Sequence, residues 1–237
     1  MNSKGNILAI GAHPDDIELL CGGTLAKYSK LGHKVYMYHA CDGDKGGLHK
    51  KSEEIINERR EEANNSAKVI NAVSFVGDFR DGEVTINLEN RLLLIDVIRQ
   101  CDPTVIFTHS PYDYHTDHLN TSKLVFEASY MVNLPKLKTS HKATKILPRL
   151  FYFDTISGVG FNPVEYVDIT DVIDLKIKMM MQHKSQILFI KKYHNVDLLE
   201  MIKINGKYRG FQCNAEYAEG FVECIAWPRK TAKRILP

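Results

Sequence analysis

Cysteine is scarce in this chain and poorly spaced for cross-linking: Cys21, Cys41, Cys101, Cys213 and Cys224 make five, an odd number with no C-x-x-C pair. That spacing supports neither a disulfide framework nor a cysteine-type zinc site, so five ordinary buried or half-buried thiols are expected. No apolar run approaches the roughly 20 residues that cross a bilayer. Met1-Asn2-Ser3-Lys4-Gly5 leads straight into an apolar stretch with no signal-peptide core, so a cytoplasmic protein without a membrane partner is expected. Charge of one sign is lacking too. A formal net charge of +2 gives no argument for a nucleic-acid partner. The basic residues Arg229, Lys230, Lys233 and Arg234 read as a solvated end. No G-x-G-x-x-G follows the first apolar run, which argues against a dinucleotide-binding module.

What is present is the pattern of an α/β protein. With 237 residues, 44% hydrophobic and 25% charged, the chain can bury a substantial core, and one domain spanning 1–237 is expected. Apolar runs at 6–10, 34–40, 73–77 and 103–108 read as strands, and 22–31, 52–71, 87–101 and 117–130 as helices. In that reading Gly22-Gly23 opens the first helix and Gly32 ends it. Alternation of this kind implies βαβ units and a mostly parallel, Rossmann-like sheet flanked by helices. The second half is less regular. Residues 149–154 read as a strand and a Gly/Pro loop follows. Tyr166 to Thr170 leads into a helix near 171–190 that Asp168 or Thr170 would cap, with a short helix at 195–202 and Tyr217 to Trp227 closing the chain.

Two clusters carry chemistry. Ala12-His13-Pro14-Asp15-Asp16 follows the run Ile7 to Ile10, and His115-Thr116-Asp117-His118 follows the run Thr104 to Thr108. Each sits at the carboxyl end of an expected strand, where open α/β sheets bind ligands. His13 and Asp16 are about one helical turn apart and can face a single ion. With one histidine of the second cluster they make a two-histidine, one-carboxylate set, the composition of an open catalytic zinc site. Asp15, between them, is free to act as a general base, and a nearby imidazole could stabilise an oxyanion. The alternatives at this stage are another amidase or carbamoyl hydrolase and a non-catalytic metal- or sugar-binding protein.

These residues resemble a family. Ala12-His13-Pro14-Asp15-Asp16 with Gly22-Gly23-Thr24, and His115-x-Asp117-His118 later, are similar to the zinc-dependent LmbE/PIG-L N-deacetylases. So are Arg59-Arg60-Glu61-Glu62-Ala63, Arg80-Asp81-Gly82, Asp168-Ile169-Thr170, His183-Lys184-Ser185-Gln186 and Tyr217-Ala218-Glu219-Gly220-Phe221. The last three are closest to the bacillithiol-type bacterial branch. The resemblance implies zinc, or another divalent metal such as Fe2+, held by His13, Asp16 and His118. It implies Asp15 as general base, His115 as oxyanion stabiliser or acid, and Asp117 as an orienting or charge-tuning group. Arg59 and Asp81 would contact a small N-acetylated sugar or glycoside, and a homo-oligomer is implied as well. Two departures mark this chain: Ile17 follows the Asp pair with Glu18 second, and Thr116 stands where many members have Pro. His39, His49, His109 and His141 receive no role. Asp42-Gly43-Asp44, with Gly46-Gly47, reads as a mobile connection near the site mouth, and His183 as a structural residue on a polar helix end.

Overall fold

The first strand, β1 (Asn6–Gly11), is apolar almost throughout because the fold covers both of its faces. In the computed structural model, which describes residues 5–47, 49–229 and 236, Ile7 and Ala9 join one core with Leu20 and Leu25 of α1 (Asp16–Lys30). Leu8 and Ile10 join a second core on the opposite face, with Leu94 and Ile98 of α3 (Leu88–Cys101) and Leu124 of α4 (Thr116–Met131). Each such fully buried Leu or Ile contributes about 1.5–3 kcal/mol.

The sheet has seven strands in the order β3-β2-β1-β4-β5-β7-β6. They are β1, β2 (Val35–Cys41), β3 (Val73–Phe79), β4 (Pro103–Thr108), β5 (Arg149–Phe153), β6 (Glu165–Asp168) and β7 (Ala218–Glu223). The first five pair in parallel, and β7 runs antiparallel to both β5 and β6. The mostly parallel, Rossmann-like architecture with an irregular end is therefore the observed one. All five cysteines are free, four of them buried and Cys213 half-buried. No helix among the described residues is long and apolar enough to cross a membrane.

Several boundaries differ from the sequence reading. Gly22 and Gly23 do not open α1, which starts at Asp16; they lie inside it, and at Gly23 a neighbouring segment comes too close for a side chain. A Cβ on Gly23 would stand 2.8 Å from the buried Ile169 side chain. At the same place Glu219 of β7 accepts from the Gly23 and Thr24 amides and from Lys176, tying α1 to the antiparallel strand. Gly32 does end the helix, with φ +82°.

The expected 171–190 helix is two, α5 (Ile173–Met180) and α6 (Lys184–His194), preceded by a 3-10 turn (Thr170–Val172) whose first residue donates its amide and hydroxyl to Asp168 while Ile169 holds the cap position. It breaks because His183 turns into the protein to meet Glu18 at 2.9 Å. The short helix at 195–202 is the start of α7 (Leu198–Cys213), capped by Asp197. Arg229 is not solvated: its guanidinium is buried and donates to Phe126 O and Ser129 Oγ. Lys230, Lys233 and Arg234 lie outside the described residues.

Gly23→Ala tests the close approach by its sign. An exposed helical glycine replaced by alanine gains about 1 kcal/mol, whereas overpacking against Ile169 should cost about 1–3 kcal/mol. Urea denaturation is expected to show a lower midpoint for the variant; a stabilised variant would contradict the packing described.

Candidate active site

Strand order reverses between β1 and β4, so the loops leaving these neighbours diverge and open a crevice at their carboxyl ends. The loop after β1 carries His13 and Asp15 and leads into Asp16 at the start of α1; the loop after β4 carries His109, Asp113 and His115 and leads into Asp117 and His118 in the first turn of α4. Both sequence clusters therefore meet in one place.

Their meeting point is the Asp16 carboxylate. Its Oδ2 accepts the His13 amide at 2.6 Å and lies 3.3 Å from His13 Nδ1, 3.3 Å from His109 Nε2 and 3.4 Å from His118 Nε2. The far nitrogens of two of these rings are held by buried carboxylates. His13 Nε2 meets Asp117 Oδ2 at 3.1 Å, and His118 Nδ1 meets Asp113 Oδ2 at 3.1 Å. Asp117 also accepts from the Gly82 and Val84 amides, and Asp113 from those of Tyr114 and His115, so each carboxylate is itself fixed by backbone.

Burial, the largest influence on both rings, favours their neutral forms, yet the carboxylates outweigh it. Asp117 and Asp16 push His13 up to about 10, and Asp16 and Asp113 push His118 up to about 9. Asp16 is held well below the usual carboxylate range by His118, against the effect of burial. Ligand nitrogens facing a carboxylate, with each imidazole's other nitrogen held by a second carboxylate, form a donor set suited to one divalent cation. Donor atoms of His13, Asp16 and His118 lie within 4.8 Å of one another. The residues fit such an ion, whose binding would displace the ring protons.

His109 was given no role in the sequence reading, although it directly follows an apolar strand. It stacks on His118 at 3.9 Å between ring centres, and its Nε2 accepts the Ala12 amide at 2.8 Å. That lone pair is therefore occupied, and the ring braces the cluster from behind. His115 caps α4: its Nδ1 accepts the Asp117 amide at 3.2 Å, which leaves Nε2 to carry the proton. Burial, with His118 and His13 nearby, lowers its pKa, and the neutral donor tautomer follows.

Asp15 is buried, with the backbone at φ +139°, a region that costs a non-glycine residue about 1–3 kcal/mol. Burial pushes its carboxyl up to about 6, and Arg59 works in the opposite direction from 3.6 Å. Arg59 is not on a solvated face. It shares the inner stripe of α2 (Ser52–Val69) with Ile55, Glu62, Ala63 and Ser66. Its guanidinium donates to Pro14 O and Gly43 O and lies 3.6 Å from Asp81. Asp81 in turn accepts the Gly43 and Lys45 amides. The Asp42–Asp44 segment is thus pinned rather than free, with both carboxylates buried beside Arg80.

Behind Asp15 lies a pair that carried no joint role in the sequence. Glu18 and His183 are both fully buried, and Ser66 Oγ donates to the same Glu18 oxygen at 2.6 Å. His183 holds Glu18 down to about 2 despite burial. The visible signal was a single acid inside the apolar run Ile17 to Leu20.

Fold and site together define a Rossmann-like α/β protein with a His/Asp cluster, suited to one divalent cation, at its topological switch point. The chain belongs to the PIG-L (LmbE-like) family: residues 8–129 match the family model described as PIG-L, GlcNAc-PI de-N-acetylase. It is 30% identical over 195 residues to the diacetylchitobiose deacetylase of Thermococcus kodakarensis, covering 78% of this chain and 71% of that protein. It is also similar to the 4-oxalmesaconate hydratase of Pseudomonas putida, 26% identical over 181 residues, 71% of this chain and 69% of that one. Among solved structures, the N,N'-diacetylchitobiose deacetylase of Pyrococcus horikoshii, complexed with its inhibitor MPG, superposes with a TM-score of 0.81 at 25% identity. That match covers 94% of this chain and 84% of the other.

Arg59→Ala would leave Asp15, Asp81 and two backbone carbonyls without their shared cation. Loss of about 3–5 kcal/mol in unfolding free energy is expected from chemical denaturation. A loss below about 1 kcal/mol would place Arg59 on the solvated face that the charged helix suggests.

Proposed function

We propose that this protein is a zinc-dependent N-deacetylase acting on a small N-acetylated sugar or glycoside. The observation that carries the reading is the His13–Asp16–His118 donor cluster with Asp15 buried beside it. A cation-binding set and a carboxyl tuned near neutrality stand together in a cavity of about 700 Å³. When bound, zinc would supply Lewis acidity to an amide carbonyl and to water.

The chain's own groups supply the rest. Asp15, largely ionised at neutral pH, takes a proton from water as general base and later returns it to the departing amine. His115 offers its Nε2–H to the developing oxyanion. Asp117 and Asp113 act through His13 and His118, holding each ring by its far nitrogen. Arg59 positions Asp15 and the 43–47 loop, and Asp81, which lines the same cavity, faces the sugar. Cleavage gives acetate and a free amine.

The similarity to a hydratase favours one second reading, water addition to a carbon–carbon double bond with the same acid–base groups, because a scaffold does not name its reaction.

The test is acetate and amine release from N-acetylglucosamine, N-acetylglucosaminyl-malate, N,N'-diacetylchitobiose and acetylated aminoglycoside precursors, assayed chelated and zinc-restored. Turnover should vanish on chelation and return with zinc. Asp15→Asn should keep its zinc and lose about 10²–10⁴-fold in kcat, whereas His118→Ala should lose the metal. Unchanged turnover in Asp15→Asn, or full zinc occupancy in His118→Ala, refutes the corresponding assignment. Release of amine from no substrate by the zinc-loaded protein favours the hydratase reading.

A further inference from the structure

The cavity has two unlike ends. One is the polar site already described, reaching out to Asp81, Lys45 and Gln186. The other is walled by Leu19 of α1, Ile156 after β5, Phe189 and Ile190 of α6, and Leu198 and Met201 of α7. From the α6–α7 pair the polar side chains lining it are two. Gln186 is already engaged, donating to Gly46 O at 2.7 Å, and His194 stands at the exposed rim. The wall is built before any ligand arrives. Glu18 holds His183 just ahead of α6, Glu62 accepts the Ser185 amide and hydroxyl at 2.8 and 2.6 Å, and Leu198 and Ile202 pack on Met180 beneath.

Beside Ile156 the lining also includes the hydroxyls of Ser157 and Tyr114, 3.5 Å apart; a second sugar laid against the α6–α7 side chains themselves would turn hydroxyls toward carbon, and each unpaired buried polar group is costly. An apolar group there releases water from carbon on both sides.

Resting on the N-deacetylase reading, we propose that the substrate is amphipathic: the molecule bearing the sugar amide also carries an alkyl or aryl group that lies against the α6–α7 wall. Such a group can be joined at the glycosidic oxygen or be the amide's own acyl chain, and the chemistry that recognises it is the same. Binding should strengthen roughly two- to fourfold for each methylene that reaches the wall.

The experiment has a binding arm and a turnover arm. Methyl, butyl, hexyl and octyl β-glucosides, which have no amide, are titrated below their micelle concentrations by calorimetry into the parent protein and into Met201→Gln and Leu188→Gln. Leu188 is 65% exposed on α6 and does not line this cavity. Affinity is expected to climb with chain length in the parent and in Leu188→Gln, and to climb less steeply in Met201→Gln. The ratio of octyl to methyl within one protein cancels any loss of folded material.

In the turnover arm, zinc-loaded protein receives alkyl glycosides of N-acetylglucosamine and, separately, N-acylglucosamines of rising acyl length. A rise of kcat/KM along the first series supports the proposal and places the group at the glycosidic oxygen; a rise along the second supports it and places the group on the acyl chain. Affinity that is flat with chain length, or equally steep in Met201→Gln, overturns the proposal, as does a preference for diacetylchitobiose over every alkyl glycoside. Chain-length-dependent binding with no turnover of any amide leaves the wall standing and defeats the deacetylase reading instead.

Discussion

Asp16 Oδ2 is the atom on which the site depends. It takes the His13 amide and faces three imidazole nitrogens, so one carboxylate ties the loop after β1 to the loop after β4. Such an anion can be buried this deeply only if it is surrounded by donors or a cation. Asp113 and Asp117 grip two of those rings from outside and are themselves held by amides of the 82–84 and 114–115 segments. His13 and His118 are therefore braced by carboxylates whose own oxygens are held by backbone amides, an outer layer that fixes the orientation of each ring.

That arrangement is possible because the sheet switches direction where it does. Parallel strands β1 and β4 deliver both clusters to their common carboxyl end, and the second-half strands β7 and β6 add an antiparallel flank that returns Glu219 to the middle of α1. Asp15 accepts an unfavourable φ of +139° as part of the same turn, and the Arg59 guanidinium clasps the neighbouring carbonyls of Pro14 and Gly43. Local strain at this loop is offset by a long-range cation from α2.

Much of this could be read from the chain. The runs Ile7 to Ile10 and Thr104 to Thr108 became neighbouring strands because strands buried on both faces leave continuous apolar stretches. The two His/Asp clusters announced themselves by standing at the ends of those runs. Features that depended on distant partners were illegible. Gly22 and Gly23 looked like a helix start, because only the approach of Ile169, more than a hundred residues away, explains the glycine at 23 inside α1. Arg59 was hidden among the charges of Glu53 to Glu62, although its spacing from Ile55, Ala63 and Ser66 marks a buried stripe. His109, Asp113 and Glu18 work through contacts with residues elsewhere in the chain or through ring stacking, and a single buried acid or histidine resembles any other polar residue until its partner is placed. The break between α5 and α6 follows the same logic, since a core pairing of His183 overrides a continuous helical pattern.

The central claim is that one zinc sits among His13, Asp16 and His118, and the ion's own absorption spectrum tests it most directly. X-ray absorption at the zinc edge of the metal-loaded protein is predicted to show one ion with nitrogen and oxygen neighbours at about 2.0–2.2 Å and no sulfur. A scatterer near 2.3 Å would mark Cys41, which lies within reach of His13 and Asp81, as a ligand and contradict the account. An oxygen-only shell would contradict it equally, by moving the ion to Asp42, Asp44 and Asp81.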